Sequence, residues 1–360
     1  MPEATSNESL SDLLTTKAEE IAALATRSLF EQQPQLEERF GPRGREKSRE
    51  DFAHHVRYLA EAVRADSPTL YREYATWVTS LLSNLGLTRE HIRWGFSYLK
   101  PAIAETVAPE EAKLSHGFLD VAIGVVDNAI IESPSFLHRE QAQYDLAAAY
   151  LTDVLAGNHR AATQRILDAA ESGLGIRSIY LDVLEPVQRE IGRLWETNEI
   201  TVAEEHFATA TTQMVMSRLY GYLVPSGRTG RTFLGTCTSG ELHELGIRMV
   251  TDFIEMAGWD TYYVGGQVPR ESVLEMLRKR SVDVLGVSAN LTTHLHEVRD
   301  LILSVRSEPR LNGVRILVGG RPFSEDPELW KFVGADAVAL DAETGVEEAN
   351  RLVLDDPEGK

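Results

Sequence analysis

Glu241 and His243 are the residues whose types and spacing best suit chemistry. They lie in the run Thr236-Cys237-Thr238-Ser239-Gly240-Glu241-Leu242-His243-Glu244-Leu245-Gly246. A carboxylate two residues before a histidine can hold one ring nitrogen and leave the other to face a metal. Gly246 keeps the same corner free of a side chain, so something bulky can pass close to the backbone. Taken alone, Glu-x-His-x-x-Gly also suits a solvated or capping loop histidine. Strand ends further along the chain decide between the two.

The elements that must position this loop can be read on both sides of it. Phe233-Leu234-Gly235 is an apolar run that reads as a strand, and Ile247 to Ile254 has helical apolar spacing. From about 231 to 355 the chain alternates strand and helix five times. Strands are expected near 232–237, 260–264, 283–288, 314–318 and 336–340. This pattern predicts a parallel, doubly wound, Rossmann-like (flavodoxin-like) α/β domain. Such sheets bind ligands at the carboxyl ends of their strands, where the His243 loop would stand. Two more strands end in small residues: one in Ser288-Ala289-Asn290-Leu291, the other in Gly319-Gly320.

These three motifs, in order and on strand ends, resemble the cobalamin-binding domain shared by corrinoid enzymes and cobalamin photoreceptors. The resemblance implies that His243 is the lower axial cobalt ligand. It also implies that Ser288, Asn290, Leu291, Gly319 and Gly320 line the slot for the dimethylbenzimidazole tail. Asn290 departs from the usual Leu or Thr at its position.

Ahead of the α/β domain, residues 141–224 read as four helices with short connections, an up-down bundle. Its informative run is Trp195 to His206. A tryptophan near one helix end, followed by Glu205-His206 at the start of the next helix, can close over a ligand. Acidic residues at a helix start also simply favour the dipole. Beside the cobalamin motifs, the run resembles the cap of cobalamin-dependent photoreceptors, in which Trp195, Glu205 and His206 would shield an upper axial adenosyl group. Where the DNA-binding photoreceptors carry a histidine that ligates cobalt after illumination, this chain has Glu196. Pro225 to Gly230 reads as a linker.

Residues 1–10 read as a disordered tail and 11–140 as an all-α domain. One helix is expected from Leu13 to Phe30 and a loop at Phe40-Gly41-Pro42-Arg43-Gly44. A helix capped by Ser48 with Asp51 comes next, then helices begun by Pro68, Thr88 and Glu110. This six-helix string resembles the globin-like sensor domains. It is rich in aromatic and histidine residues, which are ordinary core and surface residues or pigment contacts. The candidates are His54, His55, Tyr58, Trp77, His91, Trp94 and Tyr98, with Arg57, Arg72 and Arg93 spaced to sit near one interior. His91 is a candidate proximal haem ligand. The pairing of such a domain with a cobalamin module resembles the photocobilins. It implies adenosylcobalamin as one cofactor and biliverdin as a second, held without covalent attachment because Cys237 is the only cysteine.

The function so implied is light sensing: the cobalt–carbon bond above His243 breaks in light, the cap loses what it packs against, and domains or protomers rearrange. A homodimer and a downstream signalling partner come with the resemblance. A second reading is a corrinoid methyl carrier of a methyltransferase system, and a third is an adapter with an empty helical domain. His294 and His296 are alternative ligands in light or solvated helix residues. No nucleophile–base constellation marks the polypeptide as an enzyme. A net charge of -19 over 360 residues disfavours direct DNA binding or a membrane-surface role. The lone cysteine suits a reducing cytoplasm.

Overall fold

The computed structural model describes residues 6–128, 133–224 and 227–354, in two compact units. The outer parts of the expected tails, at residues 1–5 and 355–360, and Pro225-Ser226 of the expected linker lie outside the described residues.

One unit comprises residues 132–288, 305–319 and 336–360 and holds the sheet. Its strands are β1 (Thr232–Cys237), β2 (Asp260–Gly265), β3 (Val284–Ser288), β4 (Arg315–Gly319) and β5 (Ala337–Ala339). All pair in parallel in the order β2-β1-β3-β4-β5, close to the expected boundaries. β1 and β3 are buried almost throughout, as strands covered on both faces must be. The register sets Cys237 opposite Ser288 and Ser288 opposite Gly319. The three motif-bearing strand ends therefore stand side by side, at the point where the strand order reverses.

Four helical stretches precede the sheet in this unit. They are α8 (Tyr144–Leu155), α9 (His159–Glu171), a composite third stretch and α12 (Val202–Leu219). The third runs from α10 (Ile176–Ser178) through a π-helical turn, Ile179–Leu184, into α11 (Glu185–Glu196). Their apolar faces share one core around Tyr150, Ile166, Tyr180, Leu184 and Met216, which continues to Met249 and Phe253. The latter two lie on α13 (Leu245–Met256), the helix after the His243 loop. Tyr180, on the π-turn, donates to Asp252 of α13 at 2.7 Å. Burial lifts the Asp252 carboxyl to about 6, partly offset by that hydrogen bond. α13 also packs against the last described helix, Ala342–Leu354, beside the sheet.

The other unit comprises residues 1–131, 289–304 and 320–335. Its helices are α1 (Ser6–Thr16), α2 (Ala18–Gln32), α3 (Gln35–Arg64), α4 (Pro68–Asn84), α5 (Arg89–Ser97), α6 (Leu99–Ala104) and α7 (Pro109–Asn128). Helix begins at Ser6, so the expected tail is shorter than ten residues. The expected single helix from Leu13 to Phe30 is divided at Lys17. The expected loop at Phe40–Gly44 is only a break at Gly41, whose φ of 62° lies in the left-handed region inside α3. Ser48 is helical on both sides and caps nothing, whereas Ser67 and Thr88 do cap their helices.

Segments 289–304 and 320–335 pack with these helices. Ser67 donates to Asp326 at 2.6 Å. The backbone N–H of His296, at the start of α15 (Leu295–Ser307; α14 is Arg270–Lys279), donates to Glu61 at 3.1 Å. His296 Nδ1 lies 3.1 Å from the other oxygen of that carboxylate, which is buried. Hence His296 is not the solvated helix residue or free ligand expected from the sequence. Glu61 raises its pKa, against burial, with Glu297 adding and Arg64 opposing. A raised histidine contributes stability that is full below its unfolded value of about 6.5 and is lost as pH rises through the folded value. Glu61→Gln should therefore lower the thermal midpoint more near pH 6 than near pH 9. With the His296 side chain 39% exposed, the pH-dependent part should be ~1 kcal/mol or less. Circular-dichroism melts at the two pH values check it.

Candidate functional site

The chain turns after β1 through Thr238 to Glu244 before α13 begins. Glu241 is fully buried there and organises the loop. Its Oε1 accepts the backbone N–H groups of Leu242 and His243, each at 3.0 Å, and faces His243 Nδ1 at 2.5 Å. The engaged nitrogen is thus Nδ1, which leaves Nε2 for a ligand, as the spacing predicted. The hydrogen bond to Glu241 raises the His243 pKa, burial lowers it, and the charges of Glu241 and Glu205 raise it further. Half of the side chain is exposed (53%), and the neighbouring Leu242 exposes 66% of its surface. An apolar side chain left open beside a ligand-ready imidazole suits a flat, largely apolar partner.

Three observations point the same way. Thr238 is buried, and its hydroxyl has no hydrogen-bond partner among the described residues. Such a group costs about 1–3 kcal/mol unless something pairs with it. At the ends of β4, Gly319 and Gly320 let backbone approach backbone. A Cβ on Gly320 would stand 2.0 Å from the Ala289 carbonyl oxygen, and one on Gly319 2.9 Å from that of Ala339. Gly246 is exposed and faces open space, as a corner over which a ligand passes must be. Asn290 and Leu291 follow Ser288 and Ala289 in the segment that packs with the helical unit.

The cap residues are set by the turn between α11 and α12. Arg193 bridges Glu190 and Glu199 at 2.8 and 3.1 Å, and Asn198 takes a positive φ in the turn. Thr201 and Glu204 form a capping box, so the acidic residue that serves the helix start is Glu204. Glu205 also stands in the first turn of α12, and neither it nor His206 takes part in the box. They hydrogen-bond each other, with Glu205 half-buried and His206 largely exposed. Thr209 donates to Glu205 at 3.0 Å and to Gln188 at 3.2 Å; Gln188 in turn donates to Thr212 at 2.6 Å. Of the expected cap residues, Glu205 is near enough for its charge to act on His243. Trp195 is half-buried at the end of α11.

Sequence reasoning missed Gln213 and Glu244. Gln213 donates to Glu244 at 2.7 Å, joining α12 to the His243 loop. A signal was available, since Gln213 lies eight residues after Glu205 on one helix, about two turns along the same face. Cys237 is buried, and burial pushes its thiol up to about 12, with Glu241 and Glu244 adding. It packs in the core with Phe233, Val284 and Leu317.

In the helical unit the pigment candidates separate. His55 is buried, its Nδ1 2.6 Å from Tyr74 Oη and its ring stacked on Phe96 at 4.7 Å; burial takes its pKa down to about 3. Tyr58 stacks on Tyr74 at 3.9 Å, and Trp77 lies 6.1 Å from Tyr74. His91 and Trp94 form a second group with Phe40. His91 caps α5 with its ring, Nδ1 accepting from Thr88 N, so it is not placed as an interior haem ligand. Tyr98 bonds Gln32 and Gln33. The three arginines do not share an interior. Arg57 pairs with Glu19 and Arg93 with Asp127 at exposed positions, and Arg72 and His54 are exposed. Helical spacing alone did not reveal that acidic residues on neighbouring helices hold the Arg57 and Arg93 guanidinium groups at the surface.

A parallel sheet with a carboxylate-bound histidine on its first loop, joined to a helical bundle through that same loop, is a corrinoid-binding module. Family models agree. Two described as B12 binding domains match residues 231–350 and 146–220, and one described as phycobilisome protein matches residues 3–126. Dimethylamine corrinoid protein 3 of Methanosarcina mazei is 30% identical over 129 residues, 36% of this chain and 75% of that protein. Dimethylamine corrinoid protein 1 of Methanosarcina acetivorans is 25% identical over 222 residues, 60% of this chain and all of that protein. The chain spans about half the length of other dimethylamine corrinoid proteins it matches. The solved structure of the Methanosarcina barkeri monomethylamine corrinoid protein shares the fold, with a TM-score of 0.53 at 21% identity, covering 59% of this chain and all of that one. The chain belongs to the B12-binding corrinoid proteins, and its cofactor is of the cobalamin type. No helix among the described residues is long and apolar enough to cross a membrane.

Proposed function

We propose that this chain is a light sensor that holds adenosylcobalamin over His243 and carries a second, bilin-type pigment, biliverdin, in its helical domain. The observation that carries this reading is the fusion. The phycobilisome match occupies residues 3–126, ahead of both B12-binding matches. The Glu205–His206 pair, which takes no part in the capping box, supports the cap that an adenosyl group requires. A bound corrinoid supplies a cobalt–carbon bond, which light can break or which can give up a methyl group. His243 would hold the cobalt through Nε2, and Glu241 fixes the imidazole through Nδ1. Trp195, Glu205 and His206 would pack against the adenosyl group, and its loss would remove that contact.

The second reading is a corrinoid methyl carrier of a methyltransferase system. The relatives favour it over light sensing: they are named as amine corrinoid proteins, and the match to the Methanosarcina acetivorans protein covers 60% of this chain. That leaves the amino-terminal helical domain as the feature the carrier reading does not use. The polypeptide itself is a binding protein in both readings.

The test loads the full chain with adenosylcobalamin and biliverdin and records absorption in the dark and after green and red light. Conversion of the corrinoid bands by light, together with a red-absorbing band from bound bilin, supports the sensor. Corrinoid uptake with no bilin uptake, and no more photolysis than free adenosylcobalamin shows, would leave the methyl carrier.

A further inference from the structure

Glu244 directly follows the expected cobalt ligand, and its carboxylate is held on two sides. Oε1 accepts from Gln213 Nε2 of α12 at 2.7 Å, and Oε2 accepts from the backbone N–H of Gly266, just after β2, at 2.8 Å. The two glycines there are required by the fit. Gly265 has φ 75°, and a Cβ on it would stand 2.8 Å from Glu244 Oε2; one on Gly266 would stand 2.6 Å from the Glu241 carbonyl oxygen. One turn further along α13, Arg248 closes the same seam. It donates to the Gln213 carbonyl at 3.2 Å and to Ser217 Oγ at 2.9 Å. Thus α12, whose first turns carry Glu205 and His206, is tied to the residue next to His243.

We propose that Glu244 is a positioning residue: with Gln213 and the Gly265-Gly266 turn it latches the His243 loop to the cap helix α12, so that α12 sets the placement of the lower-ligand imidazole. The inference rests on the corrinoid reading of His243. Its consequence is mechanical. A displacement of α12 at its Glu205–His206 end, two turns from Gln213, moves the backbone that carries His243. The lower ligand and the cap then respond as one body. The latch uses a carboxylate because its partners, the Gln213 amide, the Gly266 N–H and the Tyr263 hydroxyl, all donate. A glutamine at 244 would keep one acceptor oxygen and turn its own N–H₂ toward a donor on the other side.

The test uses the full chain loaded with hydroxocobalamin and reduced chemically to the cobalt(II) state. Electron paramagnetic resonance on protein labelled with ¹⁵N-histidine then reads, through the superhyperfine splitting, whether the nitrogen on cobalt is a histidine's or the corrinoid tail's, the splitting scored below being the histidine's, and absorption counts the corrinoid bound. The native chain should show nitrogen splitting in all bound corrinoid. Glu244→Gln should bind corrinoid but show a several-fold smaller fraction with nitrogen splitting. The double variant Glu244→Gln/Gln213→Glu should return that fraction to the native level. In it the carboxylate introduced at 213 accepts from the side-chain amide introduced at 244, whose oxygen accepts from Gly266. Glu244→Ala should lose the most. Full nitrogen splitting in Glu244→Gln and in Glu244→Ala, at native corrinoid uptake, would overturn the latch. Failure of Gln213→Glu to rescue Glu244→Gln would overturn the part assigned to α12. Absence of nitrogen splitting in the native chain would instead overturn the reading of His243.

Discussion

Gly320→Ala should destabilise the protein by roughly 2–5 kcal/mol and remove corrinoid uptake with it. Gly320 has φ 108° and ψ 175°, a region of backbone space that is essentially glycine's alone. The added methyl group would also stand 2.0 Å from the carbonyl oxygen of Ala289, and that oxygen belongs to backbone, which cannot swing aside. Strain and overlap therefore add. Gly246→Ala is the matched contrast. Its methyl group enters open space near the start of α13, so stability should hold or rise slightly, since alanine suits a helix better by roughly 0.5–1 kcal/mol. If a corrinoid passes over that corner, Gly246→Ala should still weaken its binding. Melting curves separate the two variants, and corrinoid titration of the stable one tests the corner. An unchanged melt for Gly320→Ala would contradict the close approach of the two strand ends.

The contrast shows what kind of information the sequence carried. A parallel sheet is written locally, as buried apolar runs at even intervals, and its strand ends fell within a residue or two of expectation. The Glu241–His243 pair was equally legible, because two residues on one loop constrain each other without help from elsewhere. What was not legible depends on partners remote in sequence. His296 was expected to be solvated, yet its carboxylate partner, Glu61, lies 235 residues away. Arg57, Arg72 and Arg93 share no interior, because periodicity tells which face a side chain is on but not which charge a neighbouring helix offers it. Glu244 was passed over for the same reason, since its meaning lies in Gln213 and in a glycine turn. The π-turn at Ile179–Leu184 left no trace in a pattern that simply continued as helix.

His243→Ala should abolish nitrogen ligation of a bound corrinoid by this chain, and Glu241 determines how much is lost short of that. In protein labelled with ¹⁵N-histidine, the cobalt(II) spectrum of the loaded native chain should change its superhyperfine pattern. A nitrogen from the corrinoid's own tail would leave the pattern as it was, so the label assigns the ligand. Corrinoid affinity should fall in Glu241→Ala by roughly 10–100-fold, the usual cost of removing the partner that orients a metal-bound histidine. The structure adds a reason for expecting the upper part of that range. The lost oxygen serves the backbone N–H groups of Leu242 and His243 as well as the ring, so alanine frees the loop along with the imidazole. Glu241→Gln keeps an acceptor in place and removes only the charge that raises the basicity of the ring. It should lie between native and alanine in affinity while keeping the histidine splitting. An alanine variant that bound corrinoid as tightly as the native chain would show that the loop holds His243 by its backbone alone, and the buried carboxylate would then have no part in the site.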